Sequence, residues 1–394
     1  MPRQTWIAGR RLGRLQRSMN LLMLSGDRSL AAGERGAFHS MLKVFSRHWS
    51  RIDIICPGPG GGGVDSLHGN VWVHPSSAGR ALQPAHIAAC ATRLARERRY
   101  ALLVSHDYGF FYNAAGAHLL QRRLGLPWVS EMHHVDGHPR AAGLLQRCRK
   151  VAAWAHVRFA ARRAVAFRVV CRQVGALLEH WGVEPSRIAL LPSLYLDHRL
   201  FSPAPGHPKD VDVLCCARLE SEKGLPILLA ALRILKQRHR HVRARIIGRG
   251  RWGGTLRREL REQDLERNVD VVDWLDGPDA MAAAYRSARM LVCTSFAEGN
   301  PRVVGEAMAC GTPVISTPVG IVPEIVVDRE NGLIIGWDAE DLAEKVSALL
   351  DDEPLRRRIS EAAPRAVRDF EAEPLIGRLA TAYRSIALGA NPPS

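Results

Sequence analysis

The sequence predicts an α/β protein built from two doubly wound, Rossmann-like lobes. Three observations carry that prediction. Short apolar runs of strand length alternate with longer amphipathic runs of helix length along most of the chain. The alternation lapses once, at Phe201-Ser-Pro-Ala-Pro-Gly-His-Pro-Lys-Asp210, where proline and glycine cluster. A length of 394 residues with 46% hydrophobic content is ample for two packed cores.

Taken in order, residues 1–18 hold Arg3, Arg10, Arg11, Arg14 and Arg17 but no apolar core of signal-peptide length. They read either as a basic, disordered extension or as the result of a start assigned too early, with Met19 the true start. The first lobe, 19–205, has strand-like runs at 20–25, 51–56, 71–74, 102–105, 128–131, 167–171 and 188–191. Helical runs fall between them at 36–49, 84–99, 109–124 and 141–164. Gly58-Pro-Gly-Gly-Gly-Gly63 reads as a surface turn, because no helix follows it directly to make a phosphate cradle. After the linker, strands and helices resume at Val211 and run to Leu350, giving a second lobe at 206–372 and a terminal helical segment at 373–394.

Composition narrows the function classes. No apolar run reaches the ~20 residues of a transmembrane helix. The eight cysteines form no C-x-x-C pair and several lie in apolar strands, which suits buried thiols in a reducing cytoplasm. Charge is uneven: residues 1–205 hold 28 Lys and Arg against 11 Asp and Glu, whereas 206–394 hold 27 against 28. An excess confined to one half suggests that this half faces something anionic: an inner-membrane surface, an anionic glycan acceptor, or nucleic acid. Nucleic acid is the weakest of the three, since neither base-stacking aromatic clusters nor a zinc finger accompanies the charge.

The chemistry concentrates in Phe296-Ala-Glu-Gly-Asn-Pro-Arg-Val-Val-Gly-Glu-Ala-Met-Ala-Cys-Gly-Thr-Pro-Val-Ile315. Glu298 follows the strand-like run 290–294, and Glu306 lies one to two turns into a helix that Gly311-Thr-Pro313 stops. Asn300, Pro301, Arg302, Val303 and Val304 mark the helix start, whose free backbone N–H groups make a region suited to an anion. Alone, this spacing equally fits a surface helix with Glu298 favouring its dipole. A second cluster is Arg218 and Lys223-Gly224, between a buried strand and an apolar helix, where cations would face the carboxyl end of a sheet. Asp210-Val-Asp212 starts a strand instead, and reads as structural. In the first lobe, Glu131-Met-His133-His134-Val-Asp-Gly-His138 follows a strand and brings three histidines within six residues.

The stretch from Glu298 to Val314, with Glu298 and Glu306 as its Glu-x7-Glu, resembles the signature of family-4 retaining glycosyltransferases of the GT-B fold. Val211-Asp-Val-Leu-Cys-Cys-Ala-Arg218-Leu-Glu-Ser-Glu-Lys223-Gly224, Ile246-Ile-Gly248-Arg-Gly250, the stretch from Tyr285 to Ser295 and that from Gly320 to Ile334 extend the resemblance from about Val211 to Asp352. It implies two lobes facing a cleft and a last helix that returns to the first lobe. It implies a nucleotide-diphosphate sugar as co-substrate, no cofactor and no metal. Arg218 and Lys223 would hold the diphosphate, Glu306 the ribose, and Glu298 with Gly299 and the 300–304 amides the sugar. Gly248 and Gly26 would line the donor site, and a histidine, His133 or His134, would contact the donor sugar. His106, Asp107 and His134 would line the acceptor side. Pro192-Ser193-Leu-Tyr195 stands where the family carries Asn-Gly. The implied activity is transfer of a hexose to a glycan or lipid-linked acceptor in cell-surface polysaccharide or glycolipid synthesis, in the cytoplasm or on the inner face of the plasma membrane. The alternatives are a GT-B epimerase or phosphorylase, for which no extra acid/base carboxylates and no pyridoxal lysine stand out, and a non-catalytic anion-binding protein.

Overall fold

The computed structural model describes residues 19–58, 65–108, 111–238 and 241–392. The arginine-bearing segment 1–18, most of the glycine loop (59–63) and the expected helix start at Gly109 lie outside them. The first sheet has eight strands: β1 (Asn20–Leu24), β2 (Arg51–Pro57), β3 (Asp65–Leu67), β4 (Val71–Ser76), β5 (Leu102–His106), β6 (Trp128–Met132), β7 (Ala166–Val169) and β8 (Ile188–Leu190). Their spatial order is β3-β4-β2-β1-β5-β6-β7-β8, parallel except for the edge pair β3–β4. The second sheet joins β9 (Val211–Cys216), β10 (Ala244–Ile247), β11 (Val269–Val272), β12 (Ala288–Cys293), β13 (Val314–Ser316) and β14 (Leu333–Ile334) in the order β11-β10-β9-β12-β13-β14.

Buried, nearly continuous apolar strands such as Leu21–Leu24 and Met290–Val292 are what a parallel sheet covered on both faces requires. Around the first sheet lie α1 (Ala37–Phe45), α2 (Gln83–Glu97), α3 (Tyr112–Leu124), α4 (Leu144–Ala160) and α5 (Arg172–His180). Around the second lie α6 (Leu225–Gln237), α7 (Gly253–Glu262), α8 (Gly277–Ser287), α9 (Arg302–Ala309), α10 (Val322–Ile325), α11 (Ala339–Asp351) and α12 (Glu353–Ala366). The helix read at 141–164 begins only at Leu144, because Gly143 is fully extended. The short strand β3 and the helix α5 are additions to the sequence reading.

Each sheet reverses its winding at one place. In the first the chain steps outward in opposite directions from β1 and β5, in the second from β9 and β12. Ligands of open α/β sheets bind in the crevice outside the strand carboxyl ends at such a point. The last helix, α13 (Ala372–Ala387), packs on the first sheet: Ile376, Leu379, Tyr383 and Ile386 share a core with Leu21, Phe45, Ile52 and Val104. No helix among the described residues is long and apolar enough to cross a membrane.

Candidate active site

The loops after β9 and β12 form the switch point of the second sheet, and they are stitched to each other. Thr294 Oγ1 donates to the Lys223 carbonyl at 2.9 Å, and Phe296 N–H donates to the Glu222 carbonyl at 2.8 Å. Gly224 makes this approach possible: its φ is +64°, and a Cβ there would sit 2.1 Å from the Thr294 carbonyl oxygen. The turn aims Lys223 at the β12 loop, where its Nζ donates to Glu298 Oε1. Ser295 Oγ donates to the same oxygen at 2.9 Å. Lys223 and Glu298, 75 residues apart in sequence, thus form one largely buried ion pair at the sheet's carboxyl end.

Arg218 does not join them. Its side chain is 74% exposed and its nearest carboxylate is Glu222, at 3.9 Å. Gly248 ends β10 with its backbone against the Ala217 carbonyl, so the loop carrying Arg218 is held from below. Asp212 accepts from the Arg243 N–H at 2.9 Å and faces Arg289 at 3.2 Å, a strand-start position remote from the loops.

Glu306 is buried on the inner face of α9, not on its surface. Tyr285 Oη donates to Oε2 and Arg302 Nη2 to Oε1, both at 2.8 Å. Arg302 is therefore a rim partner of Glu306 and not a free cation. At the start of α9, Pro301 is extended and its carbonyl accepts from Val304 N–H at 3.0 Å, while Val303 is half-buried. The Asn300 amide, assigned from its neighbours, accepts from Ser193 N–H at 2.7 Å and donates to the Val170 carbonyl at 3.1 Å. The Asn300 side chain thus ties the second lobe to the first. Ser193 of the departing Pro192–Tyr195 segment is its partner.

The two lobes meet at Gly299. A Cβ there would lie 1.7 Å from the His133 carbonyl oxygen, so only glycine lets the Glu298 loop pass so close to the first lobe. His133 itself is half-exposed, with Nε2 at 2.8 Å from Glu131 Oε2. Arg168 Nη1 donates to the same oxygen at 2.9 Å, Tyr383 Oη from α13 donates to Oε1, and Arg168 Nη2 donates to Tyr195 Oη at 3.0 Å. Burial alone would raise the Glu131 carboxyl, but the Arg168 guanidinium and then His106 and His133 hold it well below the usual carboxylate range. His134 points elsewhere, to Asp136 at 3.6 Å. His133 thus belongs to the buried Glu131–Arg168 network and borders the second lobe, whereas His134 does not join it.

His106 and Asp107 depart from the acceptor-side expectation. Asp107 is fully buried behind the sheet end, accepting from Ser105 Oγ at 2.7 Å and Ser130 Oγ at 2.5 Å, and burial pushes its carboxyl up to about 7. It packs the core and lines no surface. His106 is mostly buried, 3.3 Å from Ser25 Oγ, and burial lowers it to about 4. It supports His133, whose ring lies 5.9 Å away. Gly26 follows β1 with its Cα against Tyr108 and Tyr112, closing the floor of the first lobe's switch point.

Glu131, Arg168, Tyr285, Ser295 and Tyr383 escaped the sequence reading. Two of them left a signal: Glu131 and Arg168 are lone charges inside apolar strand-length runs, and a buried charge must be paired.

Residues 38–193 match a family model described as glycosyl transferase 4-like domain, and residues 199–366 one described as glycosyl transferases group 1. The chain belongs to the group 1 glycosyltransferases. Among relatives of this family, D-inositol 3-phosphate glycosyltransferase of Corynebacterium glutamicum is 30% identical over 236 residues, 55% of this chain and 56% of that protein. The glycosyltransferase WcaL of Escherichia coli K12, named for colanic acid biosynthesis, is 29% identical over 53% of this chain and 54% of its own. The chain thus spans about half the length of the curated relatives it matches. The crystal structure of Anabaena HepE, in complex with UDP and glucose, superposes with a TM-score of 0.72 at 19% identity, covering 92% of this chain and 98% of that one. The group 1 chain accordingly has the GT-B fold, two α/β lobes that meet through loops at the carboxyl ends of their strands.

Proposed function

We propose that this group 1 glycosyltransferase moves a sugar from a nucleoside-diphosphate donor to an anionic glycan or lipid-linked acceptor, with retained anomeric configuration and without a metal. The observation that supports this best is the Lys223–Glu298 pair at the switch point of the second sheet, beside the His133 loop of the first. Lys223 and Arg218 would hold the diphosphate, whose charge grows as the bond from the anomeric carbon to phosphate breaks. Glu298 would accept from sugar hydroxyls, and Glu306 from those of the ribose. The new bond forms on the face the phosphate leaves, and a departing phosphate oxygen takes the acceptor's proton. Neither glutamate then has to act as a nucleophile.

HepE is crystallised with UDP and glucose, which makes UDP-glucose the first donor to try. The C. glutamicum relative is named for a phosphorylated acceptor, and such an acceptor suits the basic first half of this chain. The test is a donor screen that follows release of free nucleoside diphosphate, with EDTA throughout and with membrane lipid extract added or withheld. Release from at least one donor in EDTA supports the reading. No release from any donor, or release abolished by EDTA and restored by manganese, overturns it.

Lys223→Ala should depress the chemical step roughly 100-fold, because a donor aimed at developing charge is lost. Single-turnover rates at saturating donor measure this, and a wild-type rate would remove Lys223 from the chemistry.

A further inference from the structure

We propose that the outer face of α4, together with the end of α3, docks the first lobe on a bilayer surface rich in acidic phospholipid. This deepens the acceptor reading above by naming the surface through which a lipid-linked acceptor is reached.

The helix α4 is inverted relative to an ordinary surface helix. Its inward positions are small or polar, Gln146, Ala153, His156 and Ala160, together with Val157. Its outward positions carry large apolar side chains: Leu144 is 76% exposed, Leu145 65% and Trp154 47%, with Val151 and Phe159 beside them. Leu119 of α3 is exposed alongside, and an apolar groove of about 450 Å³ runs between the two helices, lined in part by Ala152, His156 and Phe159. A contiguous apolar surface of this kind is unfavourable in water and marks something that covers it.

The surrounding charge says what. No Asp or Glu occurs at residues 108–130 or 137–178. The same stretches place Arg122 and Arg123 at the end of α3 and Arg147, Lys150, Arg158, Arg162 and Arg163 on or just beyond α4. Such a one-signed field repels a second copy of the same face. A projecting tryptophan and leucines ringed by Arg and Lys fit the headgroup boundary, where apolar tips enter the acyl region and cations meet phosphate. The patch also leads to the site. Arg149 of α4 faces Asp136 at 3.4 Å, Asp136 faces His134 at 3.6 Å, and His133 is the next residue.

The test is co-sedimentation of the full-length chain with vesicles of phosphatidylcholine alone or with about one third phosphatidylglycerol, at low and high salt. Three variants are compared: Leu145→Ser with Trp154→Ser, Arg147→Gln with Arg158→Gln, and glutamine at all five arginines of residues 1–18. The wild type should bind acidic vesicles, ignore neutral ones and dissociate as salt rises. The apolar pair should lose at least roughly tenfold in partitioning and the arginine pair roughly fivefold per charge, with nucleoside-diphosphate affinity unchanged as the check on folding. Equal binding of the α4 variants and the wild type, or binding lost only in the 1–18 variant, would overturn the proposal. So would a wild-type dimer that the Leu145/Trp154 variant converts to monomer, since a second copy would then be the occupant. Loss of donor release with vesicle binding intact would count against the transferase reading alone.

Discussion

Glu306 accepts from Tyr285 deep in the second lobe and from Arg302 at its rim, so one oxygen is fixed by the core while the other meets a half-exposed partner. A ribose hydroxyl can replace the rim partner without disturbing the buried one. Glu306→Ala should therefore weaken donor binding in ground and transition states alike, raising the dissociation constant roughly 10- to 150-fold for the loss of charge-assisted hydrogen bonds worth ~1.5–3 kcal/mol. Unchanged nucleoside-diphosphate affinity in the folded variant, measured by calorimetry, would leave Glu306 a structural residue. Burial of Tyr285, compounded by Glu306, holds its phenol far above the usual range, so it serves as a hydrogen-bond donor at any working pH. At this scale the sequence names Lys223, Glu298 and Glu306 correctly as residues of the loops and helix where the structure has them. It does not disclose that Lys223 and Glu298 pair, or that Tyr285 and Arg302 hold Glu306, because those contacts depend on how separate loops and helices are juxtaposed. Arg218 shows the converse, a residue whose motif is clear but whose side chain points to solvent.

Among the elements, α13 has the largest reach. It closes on the first sheet after the chain has built the second, and Tyr383 delivers a hydroxyl to Glu131 beneath His133. Tyr383 is thus a positioning residue. Tyr383→Phe should lower the transfer rate several-fold with the donor KM unchanged and should alter the pH dependence of the rate, because the carboxylate that orients His133 loses a donor. A loss of stability with an unaltered pH–rate profile would make the contact structural only. The β2–β4 layer contains another buried carboxylate. Burial would raise Asp53, but hydrogen bonds from His74, Arg51 and Tyr100 bring it down from 3.8 to about 2. A folded value below the unfolded one means stability that is present above about pH 4 and is lost as pH falls toward 2. That depression is worth roughly 2 kcal/mol. In urea unfolding, the difference between wild type and Asp53→Asn should be constant above pH 5 and shrink below pH 4. A difference independent of pH would contradict the ionic account. The elements themselves are largely legible, since strand-length apolar runs and helix periodicity mark them. The exceptions have local causes: β3 is three residues at an edge, and Gly143 delays α4 by its extended backbone.

For the whole molecule, the uneven charge and the two switch points belong together. The near-neutral second lobe holds Lys223, Glu298 and Glu306 at its switch point, and the basic first lobe presents His133 and the α4 face. The charge asymmetry can be counted in the sequence, but its concentration on α3 and α4 around exposed Leu144, Leu145 and Trp154 cannot, because helix periodicity does not say which face the sheet covers. The central claim is that a nucleoside diphosphate binds at the switch point of the second sheet, on Lys223 and Glu306, without a metal. Calorimetric titration of UDP in EDTA, into the wild type and into Glu306→Ala and Lys223→Ala, tests it most directly. Binding to the wild type that each substitution weakens at least roughly tenfold is the predicted result. Binding that neither substitution changes, or that appears only when a divalent metal is added, would contradict it.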